Sequence, residues 1–167
     1  MNPIFSVVIN CRNGSKYLKK AINSIYAQSF QDWEIIFYNN NSSDESELIA
    51  KEYDNKLRIY KSNSTLNIGE ARFNALSFCK GRYASFLDVD DVFFPHKLEK
   101  QFCIFKEKRV TLVSGGIQLI DEYDKSIGSK IPKINDSKNI FLSLLKKYEI
   151  YMPTVSLDLN YLRDNNL

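Results

Sequence analysis

Short apolar runs alternate along the chain with amphipathic stretches, and the alternation is regular over its first two thirds. Ile4 to Ile9 (IFSVVI) is almost continuously apolar and β-branched, the pattern of a strand buried on both faces of a parallel sheet. The polar segment Asn10 to Gly14 follows. From Ser15, an expected N-cap, the positions Leu18, Ala21, Ile22, Ile25 and Tyr26 recur at helical spacing and predict a helix with one buried stripe. Glu34 to Tyr38 (EIIFY) predicts a second strand. Asn39 to Ser43 reads as a turn, with Asp44 as the expected cap of a helix through Leu48, Ile49 and Tyr53. A third strand is expected at Leu57 to Tyr60, and a helix over Gly69 to Cys79 ended by Gly81. Tyr83 to Asp88 (YASFLD) is the fourth strand. Leu98, Phe102 and Phe105 then mark a helix after Pro95, and Val110 to Ser114 a fifth strand.

Strands thus recur about every 22 to 30 residues with a helix between them, the period of βαβ units. The fold class this predicts is α/β, a mainly parallel sheet flanked by helices. Beyond Gly116 the pattern weakens. Ile117 to Ile120 reads as a further strand, Asp121 to Asn135 as a loop and Ile140 to Tyr148 as a helix.

Composition removes several chemistries. Among 167 residues there is a single histidine, His96, so zinc sites built on two or three histidines are excluded. The six glycines form neither GxGxxG nor GxxxxGK[ST], so dinucleotide and Walker A fingerprints are missing. Lys and Arg number 23 against 20 Asp and Glu, a net charge of +3, and the basic residues are dispersed, which argues against a nucleic-acid partner. Cys11, Cys79 and Cys103 are far apart and are expected to be buried, reduced hydrophobes. The longest apolar runs, of four residues as at Ile35 to Tyr38, fall far short of the roughly 18 residues of a spanning helix.

In open α/β sheets ligands bind outside the carboxyl ends of the strands. Here those ends are polar: Asn10 with Arg12-Asn13-Gly14, then Asn39 to Asp44, then Asp88-Val89-Asp90-Asp91. On an extended segment Asp88 and Asp90 would lie on one side, about 6.5 to 7 Å apart at the backbone, leaving room for a hard cation and a ligand's oxygens. A solvated, helix-capping turn is the plainer alternative.

Placed in order, these segments resemble the family 2 glycosyltransferases. Ser6 to Gly14 resembles the family's opening strand and Asn-Gly turn, and Tyr17-Leu18 with Ala21, Ile22, Ser24 and Ile25 its first helix. Gln28-Ser29-Phe30 and Trp33 to Ile36 resemble the approach to its second strand. Asn39 to Asp44 stands where the family has an Asp-Asp-Gly-Ser-Thr-Asp type of turn. Asn67 to Arg72 resembles its Ala-Arg segment. Lys80 to Tyr83, Phe86 to Asp91, and Pro95 with Lys97-Leu98-Glu99 and Gln101 resemble its metal-binding loop and following helix.

The resemblance implies the nucleotide-diphospho-sugar transferase (GT-A) fold. It also implies an inverting glycosyltransferase that moves a sugar from a nucleotide-diphospho-sugar, UDP favoured, to an acceptor hydroxyl on a saccharide or lipid-linked acceptor. Asn10 and Arg12 would border the nucleotide, Asn40 would face the base, and Arg72 would support the diphosphate. Asp88 would contact ribose or metal, and Asp90 would hold a divalent Mn or Mg ion. Residues 1–116 would form the donor-binding region and 117–167 the start of an acceptor-side region. Asn40 departs from the family's usual aspartate, and its amide both accepts and donates, which leaves the base open. Phe73 departs from the family's asparagine.

No acidic residue has the spacing of the family's general base, which comes from a segment well beyond the metal loop. The expectation is therefore a C-terminally incomplete catalytic domain. Its implied setting is polysaccharide or glycolipid assembly, in the cytoplasm or at the inner membrane face, with peripheral membrane association as an option. A nucleotide-sugar binding module, an inactive fragment and a nucleotidyltransferase of similar fold are the alternatives.

Overall fold

The computed structural model describes residues 2–108, 110–132 and 150–165. A six-stranded sheet has the order β3-β2-β1-β4-β8-β5, and β6 pairs with β7 in a separate two-stranded ribbon. The strands are β1 (Phe5–Cys11), β2 (Trp33–Asn39), β3 (Leu57–Lys61), β4 (Tyr83–Asp88), β5 (Leu112–Val113), β6 (Ile117–Ile120), β7 (Ser126–Lys130) and β8 (Ser156–Asp158). Among the described residues the helices are α1 (Ser15–Tyr26), α2 (Ser46–Ala50), α3 (Ile68–Leu76), α4 (Lys97–Glu107) and α5 (Leu159–Asp164), with a 3₁₀ turn at Met152–Thr154.

The central strands β1 to β4 are parallel, and their near-continuous apolar sequences follow from burial on both faces. Phe5, Val7 and Ile9 point to the face covered by α1 and α4, where Leu18, Ile22 and Leu98 are completely buried. Tyr83 and Phe105 stack there at 4.1 Å between ring centroids. On the other face Val8, Ile36 and Phe86 meet Ala71 and Ala75 of α3 and Leu159 of α5.

The expected mainly parallel α/β architecture is observed, with corrections toward the C-terminus. The fifth strand shrinks to Leu112–Val113, and it reaches the sheet only through β8, which runs antiparallel to both β4 and β5. Ser126–Lys130 is a strand, where a loop was expected across Asp121 to Asn135. The helix expected at Ile140 to Tyr148 lies outside the described residues. The helix expected at Gly69 to Cys79 is shorter, Ile68–Leu76, and starts in a capping box between Asn67 and Glu70. Gly81 plays a different part: a Cβ there would lie 2.6 Å from the Ser6 amide nitrogen, so the chain presses directly on β1. Cys11 and Cys79 are buried as expected, whereas Cys103 is exposed, because it falls off the apolar stripe of α4.

Two buried polar groups organise the sheet. Glu34 accepts from Ser6 Oγ at 2.6 Å, from the Lys80 amide at 2.7 Å, and from Arg58 Nε and Nη2 at 2.8 and 2.5 Å. Lys97 donates to Ser85 Oγ and Gln101 Oε1, with its ammonium 4.1 Å from the centre of the Phe93 ring. Burial pushes Lys97 down to about 7. Gln101 in turn accepts from Ser156 Oγ and donates to the Thr154 carbonyl, which seats β8 on the helix that follows β4.

Candidate functional site

At the carboxyl edge of the sheet, β1 ends between its two neighbours, with Asn10 in register with Tyr38 on one side and Asp88 on the other. The Asn10 side-chain oxygen Oδ1 is buried and, among the described residues, has no hydrogen-bond partner, an unsatisfied acceptor beneath this edge. Arg12, two residues on, is exposed. Arg72 reaches from α3 to Asp88 Oδ1 at 2.5 Å, with both side chains partly covered. Sequence spacing brings Asn10, Asp88 and Arg72 to no common point; strand order and the placement of α3 do.

The Asp88–Asp91 segment is not extended. Residues after Asp88 turn back, closed by the Asp91 amide donating to the Asp88 carbonyl at 3.1 Å. The strand-based separation of the two carboxylates therefore does not apply, because a turn carries Asp88, Asp90 and Asp91. Desolvation in this turn, together with the charges of Asp90 and Asp88, raises Asp91 to about 6. Val89, between the two aspartates, is seated over Gly14, where an added Cβ would come within 2.9 Å of the valine methyl. That contact ties the acidic turn to the start of α1, and only glycine leaves space for it.

The Asn39 to Asp44 segment is engaged largely within the protein. Asn39 Oδ1 accepts from the Ser42 amide, and Asn13 and Asn41 take left-handed backbone conformations with φ of 54° and 56°. Asn13 and Ser42 and Ser43 bridge the loop after β1 to the loop after β2. Ser46 Oγ accepts from the Gly14 amide. The Asn40 amide is closed on the chain: it donates to the Leu66 carbonyl at 2.9 Å and accepts from the Leu66 amide at 2.9 Å and from Ser62 Oγ at 3.2 Å. Its role in this structure is to hold the 62–66 segment against the sheet edge. Turn-forming asparagines and serines give no sequence signal to separate this stapling from ligand contact.

Asp44 is not the N-cap of α2; that position is Glu45. Its carboxylate accepts instead from the Ser15 amide at 2.9 Å and the Ser46 amide at 3.1 Å, joining the two loops. Burial alone would raise its carboxyl, but the hydrogen bonds from Ser46 and Ser15 prevail and hold it at about 2, below its ordinary 3.8. A depressed carboxyl stabilises the fold above its unfolded value and loses that contribution as pH falls through the folded one. The urea midpoint of Asp44→Asn is accordingly expected to lie below that of the unsubstituted chain at neutral pH. The gap should close between pH about 4 and about 2; a gap that stays constant over that range would count against this role.

His96 lies exposed at the N-cap position of α4, with Nδ1 3.0 Å from Ser29 Oγ and 3.2 Å from Glu99 Oε2. It anchors that helix start to the loop after α1 and takes no part in the carboxyl edge. Among the described residues no group of three or more His, Cys, Asp and Glu side chains is placed to hold a metal ion. The donor set suits a hard divalent cation, which takes one or two protein carboxylates and draws its other ligands from water and phosphate oxygens. No helix among the described residues is long and apolar enough to cross a membrane.

A match to Glycosyl transferase family 2 spans residues 6–157. An uncharacterized glycosyltransferase of Rickettsia prowazekii, RP339, is 36% identical over 129 residues, covering 75% of this chain and 40% of that protein. The Escherichia coli UDP-Glc:alpha-D-GlcNAc-diphosphoundecaprenol beta-1,3-glucosyltransferase WfgD is 26% identical over 156 residues, 93% of this chain and 60% of its own length. In fold, the chain resembles Staphylococcus aureus TarS 1-349, with a TM-score of 0.76, 21% identity, and coverage of 99% of this chain and 49% of TarS. TarS has also been solved in complex with UDP-GlcNAc. The chain thus spans between about two fifths and three fifths of these proteins.

Proposed function

The chain belongs to glycosyl transferase family 2, and from that membership we propose that its carboxyl edge binds the nucleotide-diphospho-sugar donor of a glycosyl transfer to an acceptor hydroxyl. The observation that carries the reading is the meeting of Asn10, Asp88 and Arg72 beside the acidic turn, at the edge where open α/β sheets take ligands. Residues 1–116 form the donor region on this reading, and residues 117–167 open the acceptor side.

Each group has a part. Asp90 and Asp88 would hold a divalent Mn or Mg ion, which would offset the negative charge of the donor diphosphate. Arg72, held by Asp88 Oδ1, keeps that carboxylate aimed and sets a positive charge beside the diphosphate. Arg12 adds an exposed guanidinium two residues after Asn10. Asn10, whose buried Oδ1 has no partner among the described residues, borders the nucleotide. Asn40 acts on the base side indirectly, by fixing the 62–66 wall. UDP is the favoured carrier, supported by the donor named for WfgD and by the TarS complex with UDP-GlcNAc. A saccharide or lipid-linked acceptor, met in the cytoplasm or at the inner membrane face, agrees with the diphosphoundecaprenol-linked acceptor in the name of WfgD.

Titration calorimetry with UDP, GDP and CDP, each with and without Mn²⁺, tests the reading. One nucleotide, UDP foremost, is expected to bind in a metal-dependent manner. Metal-dependent binding of none of the three would sink it.

A further inference from the structure

The segment that leaves the acidic turn divides two neighbouring phenylalanines between opposite environments. Phe93 is in the core at 6% exposure, and Phe94 is 59% exposed. The backbone that presents Phe94 is fixed: its carbonyl accepts from Gln28 Nε2 at 2.8 Å and from the Lys97 amide at 3.0 Å, and the Phe93 amide donates to Ser24 Oγ at 3.0 Å. Facing the Phe94 side chain is the β6–β7 ribbon. An open surface depression of about 420 Å³ lies between them, lined by Phe94, Ile117, Gln118, Ser126, Ser129 and Ile131. The ribbon is itself tied to α1 at its tip, and its two strands approach closely at its base. At its tip Asp124 pairs with Lys20 of α1, and at its base a Cβ on Gly116 would meet the Lys130 carbonyl at 2.8 Å.

The lining selects a ligand class. None of its residues is ionisable, so a phosphate or nucleotide would find no counter-charge there, in contrast to the edge holding Asp88, Asp90 and Arg72. A purely apolar ligand would in turn cover the exposed amide of Gln118 and the hydroxyls of Ser126 and Ser129 without giving them partners. A sugar ring satisfies both demands, because its C–H face stacks on an aromatic ring while its hydroxyls meet amide and serine groups. The volume falls within the small-molecule range and corresponds to roughly one or two sugar rings.

We infer that this recess is a subsite for a neutral saccharide unit, stacked on Phe94 and hydrogen-bonded by Gln118. It rests on the glycosyl-transfer reading above, in which it takes part of the acceptor. Phe94 leaves the acidic turn only four positions after Asp90, so the turn and the ring belong to one continuous, anchored segment.

The test is saturation-transfer NMR with methyl β-glucoside, methyl α-mannoside and methyl N-acetyl-β-glucosaminide, on the full chain with UDP and Mn²⁺ present. At least one glycoside is expected to bind. Phe94→Ala and Gln118→Ala should each weaken that binding about tenfold, the scale of one aromatic stacking or polar contact. Phe94→Trp should retain it and report it by fluorescence, and since Phe94 is exposed, thermal melts of these variants should match the parent. Glycoside binding unchanged in Phe94→Ala, or no glycoside bound by the parent chain, overturns the inference. Binding of glycosides through Phe94 without any metal-dependent nucleotide binding would leave this saccharide subsite standing and remove the donor-site reading.

Discussion

Replacing Asp90 with asparagine is expected to weaken metal-dependent UDP binding at least about a hundredfold, since changes one shell further from a metal already cost 10- to 100-fold. The size follows from how few protein ligands the proposed ion has. Asp88 is shared with Arg72, whose guanidinium sits 2.5 Å from Oδ1 and offsets much of its charge. Asp90 is exposed at the turn and carries the negative charge that remains for the cation. An asparagine keeps the size and one oxygen but removes the charge, and a hard divalent ion holds carboxylate oxygens far better than a lone amide. Calorimetry should show nucleotide binding in Mn²⁺ falling to the level measured without metal. Equal metal-dependent affinity in Asp90→Asn would show that the ion, if bound, is held elsewhere.

The second large effect concerns the opposite end of the strands. Glu34→Ala is expected to destabilise the fold by about 3 to 5 kcal/mol, the cost of removing one partner from a buried ion pair. For a chain of this size that corresponds to a melting temperature lower by roughly 10 °C or more. Glu34 has only 9% of its side chain exposed and Arg58 23%, so water cannot replace the missing carboxylate at the guanidinium. Ser6 Oγ and the Lys80 amide lose their acceptor at the same time. The double variant Glu34→Ala with Arg58→Met should recover part of the loss, because it also removes the uncompensated charge. Additive losses in the two single variants and the double would show that the pair acts independently.

Neither group was legible in the sequence as a pair. Glu34 reads as the polar start of an apolar strand and Arg58 as an exposed strand position, and only the β1–β2–β3 order brings them together. The acidic turn was legible as a cluster of charges at a ligand edge, yet its backbone was not. An extended segment and a closed turn share the same residues, and the choice depends on Val89 finding Gly14, which lies 75 positions earlier. Asn40 shows the reverse limit. Its position after β2 marks it as a candidate ligand contact, while its amide is closed on the Leu66 backbone by hydrogen bonds across 26 positions. At the C-terminal side the strand signal failed for a simpler reason: β5 and β8 contribute two and three residues, too few to show any periodicity.

By itself the sequence determined the elements that form locally and bury continuously. The apolar runs of β1, β2 and β4 and the stripe of α1 are fixed by the periods of strand and helix, so the parallel α/β core and its polar carboxyl edge follow from the residues alone. The ordered motifs along that edge also determined the family. What only the tertiary structure decided was everything made by contact between distant segments: the antiparallel insertion of β8 beside β4, the Arg72–Asp88 pair, the buried side-chain oxygen of Asn10, the buried ammonium of Lys97, and the neutral surface depression beside Phe94. Such contacts leave no periodic trace, because one hydrogen bond or ion pair between remote residues constrains two positions and nothing between them.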